Sequence, residues 1–140
     1  MLVRLATFIL FVFASASAMA GTIVTAPAAA KTAADGKTTI VDVRSPREWR
    51  QTGIAQGAAM VTIHNPNGIK AFVRAMAKAV GGDKTRPIAL ICAAGVRSAR
   101  AARILAANGF TNIQNISEGM LGRPGAGPGW LKRGLPVSSP

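Results

Sequence analysis

The chemically most suggestive residue of the chain is Cys92, its single cysteine. It follows the apolar run 88–91 and precedes the short loop 93–97, which contains a glycine and ends in an arginine. This layout predicts a thiol at the carboxyl end of a buried strand, facing the amino terminus of a helix. Backbone N–H groups and the positive end of the helix dipole favour an anion at such a place. The thiolate, which is the nucleophilic form of cysteine, should therefore be favoured at Cys92.

The alternative interpretation is an inert core residue, because a lone cysteine is more often a small buried hydrophobe than a catalyst. A core cysteine, however, has no need of a glycine loop, an arginine and a helix start immediately after it. The context of Cys92 therefore favours a nucleophile.

The elements that must position this thiol alternate along the chain between apolar runs and helical patterns. We predict strands at 23–24, 38–43, 59–63, 88–92 and 113–116, and helices at 27–34, from Pro46 onward, at 67–80 and at 97–108. Ser45 and Glu48 have the spacing of a capping box for the second helix. Continuous apolar strands that alternate with helices predict an α/β fold, a five-stranded, mostly parallel sheet with helices on both faces.

Ligands in such folds bind beyond the carboxyl ends of the strands. Cys92 lies at one of these ends, and Asp42 and Arg44 lie at another.

Residues 1–20 have the pattern of an export signal. Arg4 gives the start a positive charge, an apolar run follows, and Ala18 to Ala20 form an Ala-x-Ala cleavage motif. We therefore expect cleavage after Ala20, a single domain over residues 21–140, and a periplasmic location. An uncleaved amino-terminal membrane anchor is the alternative, although the run is shorter than the roughly 20 residues of a membrane span.

The charge of the chain is strongly positive, with 17 Lys and Arg against 5 Asp and Glu, a net charge of +12. Such a charge attracts anions. Nucleic acid is not expected as a partner, because the chain has few aromatic residues for base stacking and no tyrosine. Peripheral contact with an anionic membrane is compatible with the charge, but no segment indicates it. No motif for a metal or an organic cofactor is found, and we expect none.

Four segments, in order, resemble the rhodanese-like sulfurtransferase family. Residues 40–49 form a strand that ends in Asp-x-Arg and continues into a capped helix, and residues 52–58 are similar to the family's following loop. Residues 92–98 have the pattern Cys-x-x-Gly-x-Arg-Ser of its active-site loop, and residues 130–137 are similar to its closing segment. The chain departs from the family at Thr52-Gly53-Ile54, where Gly-His-Ile is common, and in its neutral loop residues Ala93 and Ala94.

The resemblance implies a sulfurtransferase with a rhodanese-like fold. Cys92 would take the outer sulfur of a small anionic donor such as thiosulfate as a persulfide. It would then pass this sulfur to cyanide or to a thiol, which could belong to an acceptor protein. The implied binding loop consists of Ala93, Ala94, Gly95, Val96 and Arg97.

The implied supporting residues are Asp42, Arg44, Glu48 and Ser98. Arg97 would either face the anion or hold the loop by pairing with Asp42, and we favour the pair with Asp42. Arg44 and Glu48 would then form a neighbouring pair, although Glu48 could simply cap its helix and Arg44 could be a charge at the site entrance.

Two other functions remain open at this point. Cysteine phosphatases and arsenate reductases also place a cysteine and an arginine around an anion, but one more residue separates the two in their loops. The four residues between Cys92 and Arg97 make a tighter ring, which suits a single sulfur. The second alternative is a carrier that holds a persulfide for a partner and turns over little free thiosulfate.

Overall fold

The computed structural model describes residues 21–140. The predicted signal peptide, with its cleavage motif, lies outside the described residues. Within the described part of the chain, none of the helices has both the length and the apolar character needed to cross a membrane.

The described residues form seven strands and four helices. The strands are β1 (Thr22–Val24), β2 (Thr39–Asp42), β3 (Ile54–Ala55), β4 (Ala59–Met60), β5 (Ile88–Ile91), β6 (Ile113–Ile116) and β7 (Val137–Ser138). The helices are α1 (Ala26–Ala34), α2 (Pro46–Thr52), α3 (Gly68–Ala79) and α4 (Val96–Ala107).

Five of the strands form one parallel sheet in the order β1-β6-β5-β2-β4. The predicted α/β fold with a five-stranded parallel sheet is therefore confirmed. Because β5 lies between β6 and β2, the segment that follows it emerges at the middle of the carboxyl edge. This position brings the segment after β5 close to the segments after β2 and β6.

A small antiparallel pair of β3 and β7 was not predicted. Each of these strands has only two residues, which is too short for an alternating pattern to be recognised in the sequence. The pair ties the carboxyl-terminal segment to the loop after α2.

Buried apolar residues form two clusters, one on each face of the sheet. One cluster contains Phe72 and Met76 of α3 together with Leu105 of α4. The other contains Ala29 of α1 and Trp130. Covering both faces explains why β5 is apolar at every position.

The start of α2 follows the prediction in detail. The side chain of Ser45 accepts a hydrogen bond from the backbone N–H of Glu48, and the Glu48 carboxylate accepts one from the backbone N–H of Ser45. Pro46 occupies the first turn, where its missing N–H costs nothing. This capping box fixes the direction in which the Glu48 side chain points.

We predict that Phe72→Ala lowers the free energy of unfolding by about 3–5 kcal/mol, because it leaves a cavity where a fully buried ring packs against the sheet. Ile69→Ala, on the exposed side of the same helix, should change it by less than about 0.5 kcal/mol. Urea denaturation of both variants measures the difference. Equal losses would contradict the packing of α3 through this face.

Candidate active site

The thiol of Cys92 lies immediately after β5, and only 1% of the residue is exposed. The loop after it curls back so that the backbone N–H of Gly95 donates to Sγ over 3.1 Å. The hydroxyl oxygen of Ser98, in the first turn of α4, lies 3.3 Å from the same sulfur. Of the predicted loop residues 93–97, Gly95 therefore contacts the thiol directly, through its backbone N–H.

The curl of this loop depends on Gly95. Its φ of +84° lies in the left-handed region, which residues with a Cβ rarely adopt. A Cβ at this position would also overlap the backbone carbonyl of Ser117. Two independent constraints, one of conformation and one of space, thus require a glycine three residues after the cysteine.

Arg97 pairs with Glu48 and not with Asp42, so the favoured pairing was wrong. The Arg97 guanidinium binds the Glu48 carboxylate at two points, Nη1–Oε2 over 2.8 Å and Nη2–Oε1 over 2.6 Å. Such a bidentate pair constrains orientation as well as distance. It joins the start of α4 to the first turn of α2 and so holds the loop from the side.

Asp42 is unavailable to Arg97 because Arg44 occupies its carboxylate. The backbone N–H and Nε of Arg44 donate to Oδ1 over 3.0 Å each, and Nη2 donates to Oδ2 over 2.7 Å. Both side chains are buried. The predicted pair of Arg44 and Glu48 therefore does not form.

Arg44 is a buried residue that joins neighbouring segments of the chain, so its alternative interpretation as a charge at the site entrance was wrong. Its guanidinium also donates to the hydroxyl of Thr52 and to the carbonyl of Gly53, over 2.8 Å each. Of these two acceptors, the Thr52 hydroxyl results from the departure from the family, whereas any residue at position 53 would supply the backbone carbonyl. This network fixes the segment between α2 and β3 to the end of β2.

The electrostatics of the pair at the loop follow from this geometry. The hydrogen bonds from Arg97, assisted by those from Ser45, lower the pKa of Glu48 from 4.5 to about 2, against the opposing effect of burial. Glu48 in turn raises the pKa of Arg97. Arg97 therefore keeps its charge, but a carboxylate neutralises it at close range.

Glu118, just after β6, was missed in the sequence. Its carboxylate is buried and accepts hydrogen bonds from the backbone N–H groups of Ala26 and Gly129 and from Nε of Arg133. Burial would raise the pKa of Glu118, but these three donors outweigh burial and lower it. The available signal was its isolation, since it is the only acidic residue after Asp83.

An apolar cavity beside α1 offers little chemistry. A cavity of about 330 Å³ lies between α1 and Trp130, and apolar side chains dominate its lining. Trp130 itself is a core residue, and its ring N–H donates to the carbonyl of Pro136. We therefore place the candidate active site at the Cys92 loop.

Removing the charge of Glu48 should alter the pH dependence of stability. The pKa of Glu48 is lower in the folded chain, so its contribution is fully present above about pH 4.5 and is lost as the pH falls toward 2. We predict that Glu48→Gln lowers the free energy of unfolding by about 1–3 kcal/mol at pH 7, a value reduced by partial solvent screening. Denaturation of both proteins between pH 7 and pH 2.5 should show this difference shrinking below pH 4.5.

The matched control is Asp35→Asn, which removes a carboxylate from an exposed pair with Lys31. It should change stability by less than about 1 kcal/mol. A difference between wild type and Glu48→Gln that is constant with pH would contradict the ionic role of Glu48.

Comparisons with known proteins agree with this geometry. The chain matches the family model of the Rhodanese-like domain over residues 25–122. It is 30% identical over 105 residues to uncharacterized protein RP600 of Rickettsia prowazekii (strain Madrid E), a match that covers 69% of this chain and 80% of that protein.

Two solved structures are similar in fold. Rv0390 of M. tuberculosis is 25% identical with a TM-score of 0.66, over 86% of this chain and 98% of that one. The polysulfide-sulfur transferase homodimer of Wolinella succinogenes is 21% identical with a TM-score of 0.61, over 86% of this chain and 80% of that one. The chain thus belongs to the rhodanese-like domain family.

Proposed function

We propose that this protein is a sulfurtransferase that carries a sulfane sulfur as a persulfide on Cys92. The observation that carries the proposal is the position of Sγ, 3.1 Å from the N–H of Gly95 and 3.3 Å from the hydroxyl of Ser98. The backbone N–H of Gly95 donates to the sulfur, and the Ser98 hydroxyl is able to donate to it as well. No other cysteine in the chain could perform the chemistry.

The reaction has two displacement steps. In the first, the Cys92 thiolate attacks the outer sulfur of thiosulfate, a sulfur–sulfur bond forms, and the original sulfur–sulfur bond breaks to release sulfite. In the second, cyanide attacks the outer sulfur of the anionic persulfide, thiocyanate leaves, and the thiolate is regenerated. Electrons and charge balance in both steps without an added oxidant or reductant.

The loop is suited to an anionic persulfide. The first N–H groups of α4, those of Val96 and Arg97, have no carbonyl partner within the helix and belong to its positive end. Ala93 and Ala94 add no charge and little bulk to the loop. Backbone donors spread around a single sulfur would stabilise it without a competing side chain.

The same contacts argue against a phosphatase. A phosphatase arginine must offer its guanidinium to the tetrahedral anion, whereas Arg97 directs both of its terminal nitrogens to Glu48. The loop is also one residue shorter than a phosphatase loop. Sulfur transfer therefore remains our proposal.

The physiological donor need not be thiosulfate. The similar Wolinella succinogenes protein is a polysulfide-sulfur transferase, and the terminal sulfur of a polysulfide is displaced by the same attack. We propose a small anionic sulfur donor, with thiosulfate and polysulfide as the two species to test.

One observation favours a protein thiol as the acceptor. Val96 within the loop and Leu121 beside it are 65% and 59% exposed, and the N–H of Leu121 donates to the carbonyl of Ala93. Arg100 and Arg123 are exposed nearby in the chain and form no ion pair within the described residues. An acidic protein that presents a cysteine beside apolar residues would complement this surface.

The sulfur-loading step can be tested by intact mass. We predict that the pure protein gains one sulfur atom from thiosulfate or polysulfide, that a reductant removes it, and that Cys92→Ala does not gain it. Cys92→Ala changes only the buried sulfur, so circular dichroism should show an unchanged fold. The absence of an adduct with either donor would overturn the proposed function.

The acceptor can be tested with two probes. After loading with sulfur, wild type and Leu121→Ser should transfer it to cyanide at equal rates, because a small ion does not need the apolar surface. Transfer to an acidic peptide that contains one cysteine should fall by about tenfold in Leu121→Ser and should slow with added salt. Ile23→Ser, which changes an exposed isoleucine of β1, is the matched control. Equal peptide transfer by all three proteins would contradict a protein acceptor docking here.

A further inference from the structure

The proposed chemistry leaves two features unexplained, the buried Glu118 and the glycine-rich segment that follows it. We propose that Glu118 is a positioning residue for the Cys92 loop. It holds this loop in its curled form through a stack of three backbone segments, which are the loop itself, residues 117–121 and residues 129–131. The functional part of this inference rests on the proposed sulfur transfer. The geometric part stands on contacts alone.

The first contact in the stack is between the Cys92 loop and the segment after β6. The N–H of Met120 donates to the carbonyl of Cys92 over 2.8 Å, and the N–H of Leu121 donates to the carbonyl of Ala93 over 2.9 Å. The nucleophile itself is therefore one of the residues whose backbone this segment holds.

No side chain separates these two segments. A Cβ on Gly95 would overlap the carbonyl of Ser117, and a Cβ on Gly119 would overlap the carbonyl of Ala93. Interiors packed this closely transmit displacement, because there is no free space to absorb it. A shift of the segment 117–121 would therefore move the loop.

The second contact is between the same segment and residues 129–131. The N–H of Trp130 donates to the carbonyl of Gly119 over 2.9 Å, and the N–H of Leu131 donates to that of Met120 over 3.1 Å. Gly122 and Gly129 approach each other so closely that a Cβ on either would overlap backbone atoms. The glycines thus permit a layered arrangement and do not mark a loose loop.

Glu118 ties this stack to the rest of the protein. Oε1 accepts from the N–H of Ala26, at the start of α1, over 2.8 Å. Oε2 accepts from the N–H of Gly129 over 2.9 Å and from Nε of Arg133 over 2.8 Å. One carboxylate therefore connects the segment 117–121, the segment 129–131 and helix α1, which covers this face of the sheet.

The site needs a carboxylate and not merely a polar residue, because each of its three partners is a donor. A glutamine would place an amide nitrogen against at least one of these N–H groups, and a buried donor would lose its acceptor. Because only 1% of Glu118 is exposed, water could not easily replace the lost bond. The three backbone segments would have to shift to give that N–H group a new acceptor.

A shift of a few tenths of an ångström matters at this distance from the chemistry. Sγ of Cys92 must face both the incoming sulfur and the N–H of Gly95, and misplacement of reacting groups slows reactions steeply. A residue that acts only on global stability would leave the rate of the folded enzyme unchanged.

The test uses Glu118→Gln in the full chain, with Asp83→Asn and Phe72→Ala as controls. Asp83→Asn removes one negative charge from an exposed loop, and Phe72→Ala destabilises the core cluster on the sheet face opposite to Met120 and Trp130. At a temperature where all variants are folded, we expect Glu118→Gln to load sulfur from thiosulfate about tenfold or more slowly than wild type. Both controls should stay within about twofold of wild type.

A second measurement does not depend on sulfur transfer. In ¹⁵N–¹H spectra, the amide resonances of Ala94 and Gly95 should shift in Glu118→Gln and stay in place in Asp83→Asn. If wild type fails to load sulfur, the proposed function is wrong, and these amide shifts alone decide the positioning role.

The inference is overturned if the loop amides do not move, or if loading falls no further than in Phe72→Ala. Should Glu118→Gln fail to fold, Arg133→Gln takes its place. It removes one of the three donors and leaves both backbone bonds intact. It should produce the same changes at smaller amplitude, and unchanged loop amides in this variant would also count against the positioning role.

Discussion

The tight return of the backbone after Cys92 is the constraint on which the rest of the site depends. The N–H of Gly95 reaches Sγ only because the chain reverses within three residues, and this reversal requires a positive φ. A backbone folded so tightly is not stable by itself, since the ordering of each residue costs about 1–2 kcal/mol. The neighbouring contacts offset this free-energy cost. The ion pair with Glu48 holds the loop from the side of α2, and the backbone bonds to Met120 and Leu121 hold it from the side of β6.

The two ion pairs beside the loop act in different ways. Asp42 and Arg44 are buried, and a buried pair gains little net stability because both charges lose their hydration. What this pair supplies is geometry, since Arg44 also binds the two residues that lead from α2 into β3. Glu48 and Arg97 are only partly buried, so their pair costs less desolvation and stabilises the loop directly. The pair of Asp42 and Arg44 fixes the segment between α2 and β3 to the end of β2. The pair of Glu48 and Arg97 holds the Cys92 loop against α2.

Sequence reasoning succeeded where the determinants are local. The capping box of Ser45 and Glu48, the apolar run before Cys92 and the alternation of strands with helices are all encoded within a few residues. It failed where the partner is distant in the chain. Four charged residues could have paired in more than one way around the loop. Spacing alone did not show that Arg44 would turn back onto Asp42 and leave Glu48 for Arg97. Glu118 is the extreme case, because its partner Ala26 is 92 residues away.

The distribution of charge follows from the same architecture. Of the five acidic residues, Asp42, Glu48 and Glu118 each pair with an arginine at the carboxyl edge of the sheet, where the backbone must be fixed. With 17 Lys and Arg against five acidic residues, the protein carries a large net positive charge, although its loop residues 93–96 carry none. The charged groups that attract anions are thus separated in space from the neutral loop that holds the thiol. The surface field draws anions toward the protein over about 10 Å, while contact with the sulfur relies on uncharged backbone donors. Under the proposed sulfur transfer from thiosulfate, a cation inside the loop would bind the departing sulfite as well as the arriving thiosulfate, and a neutral loop would avoid holding the product.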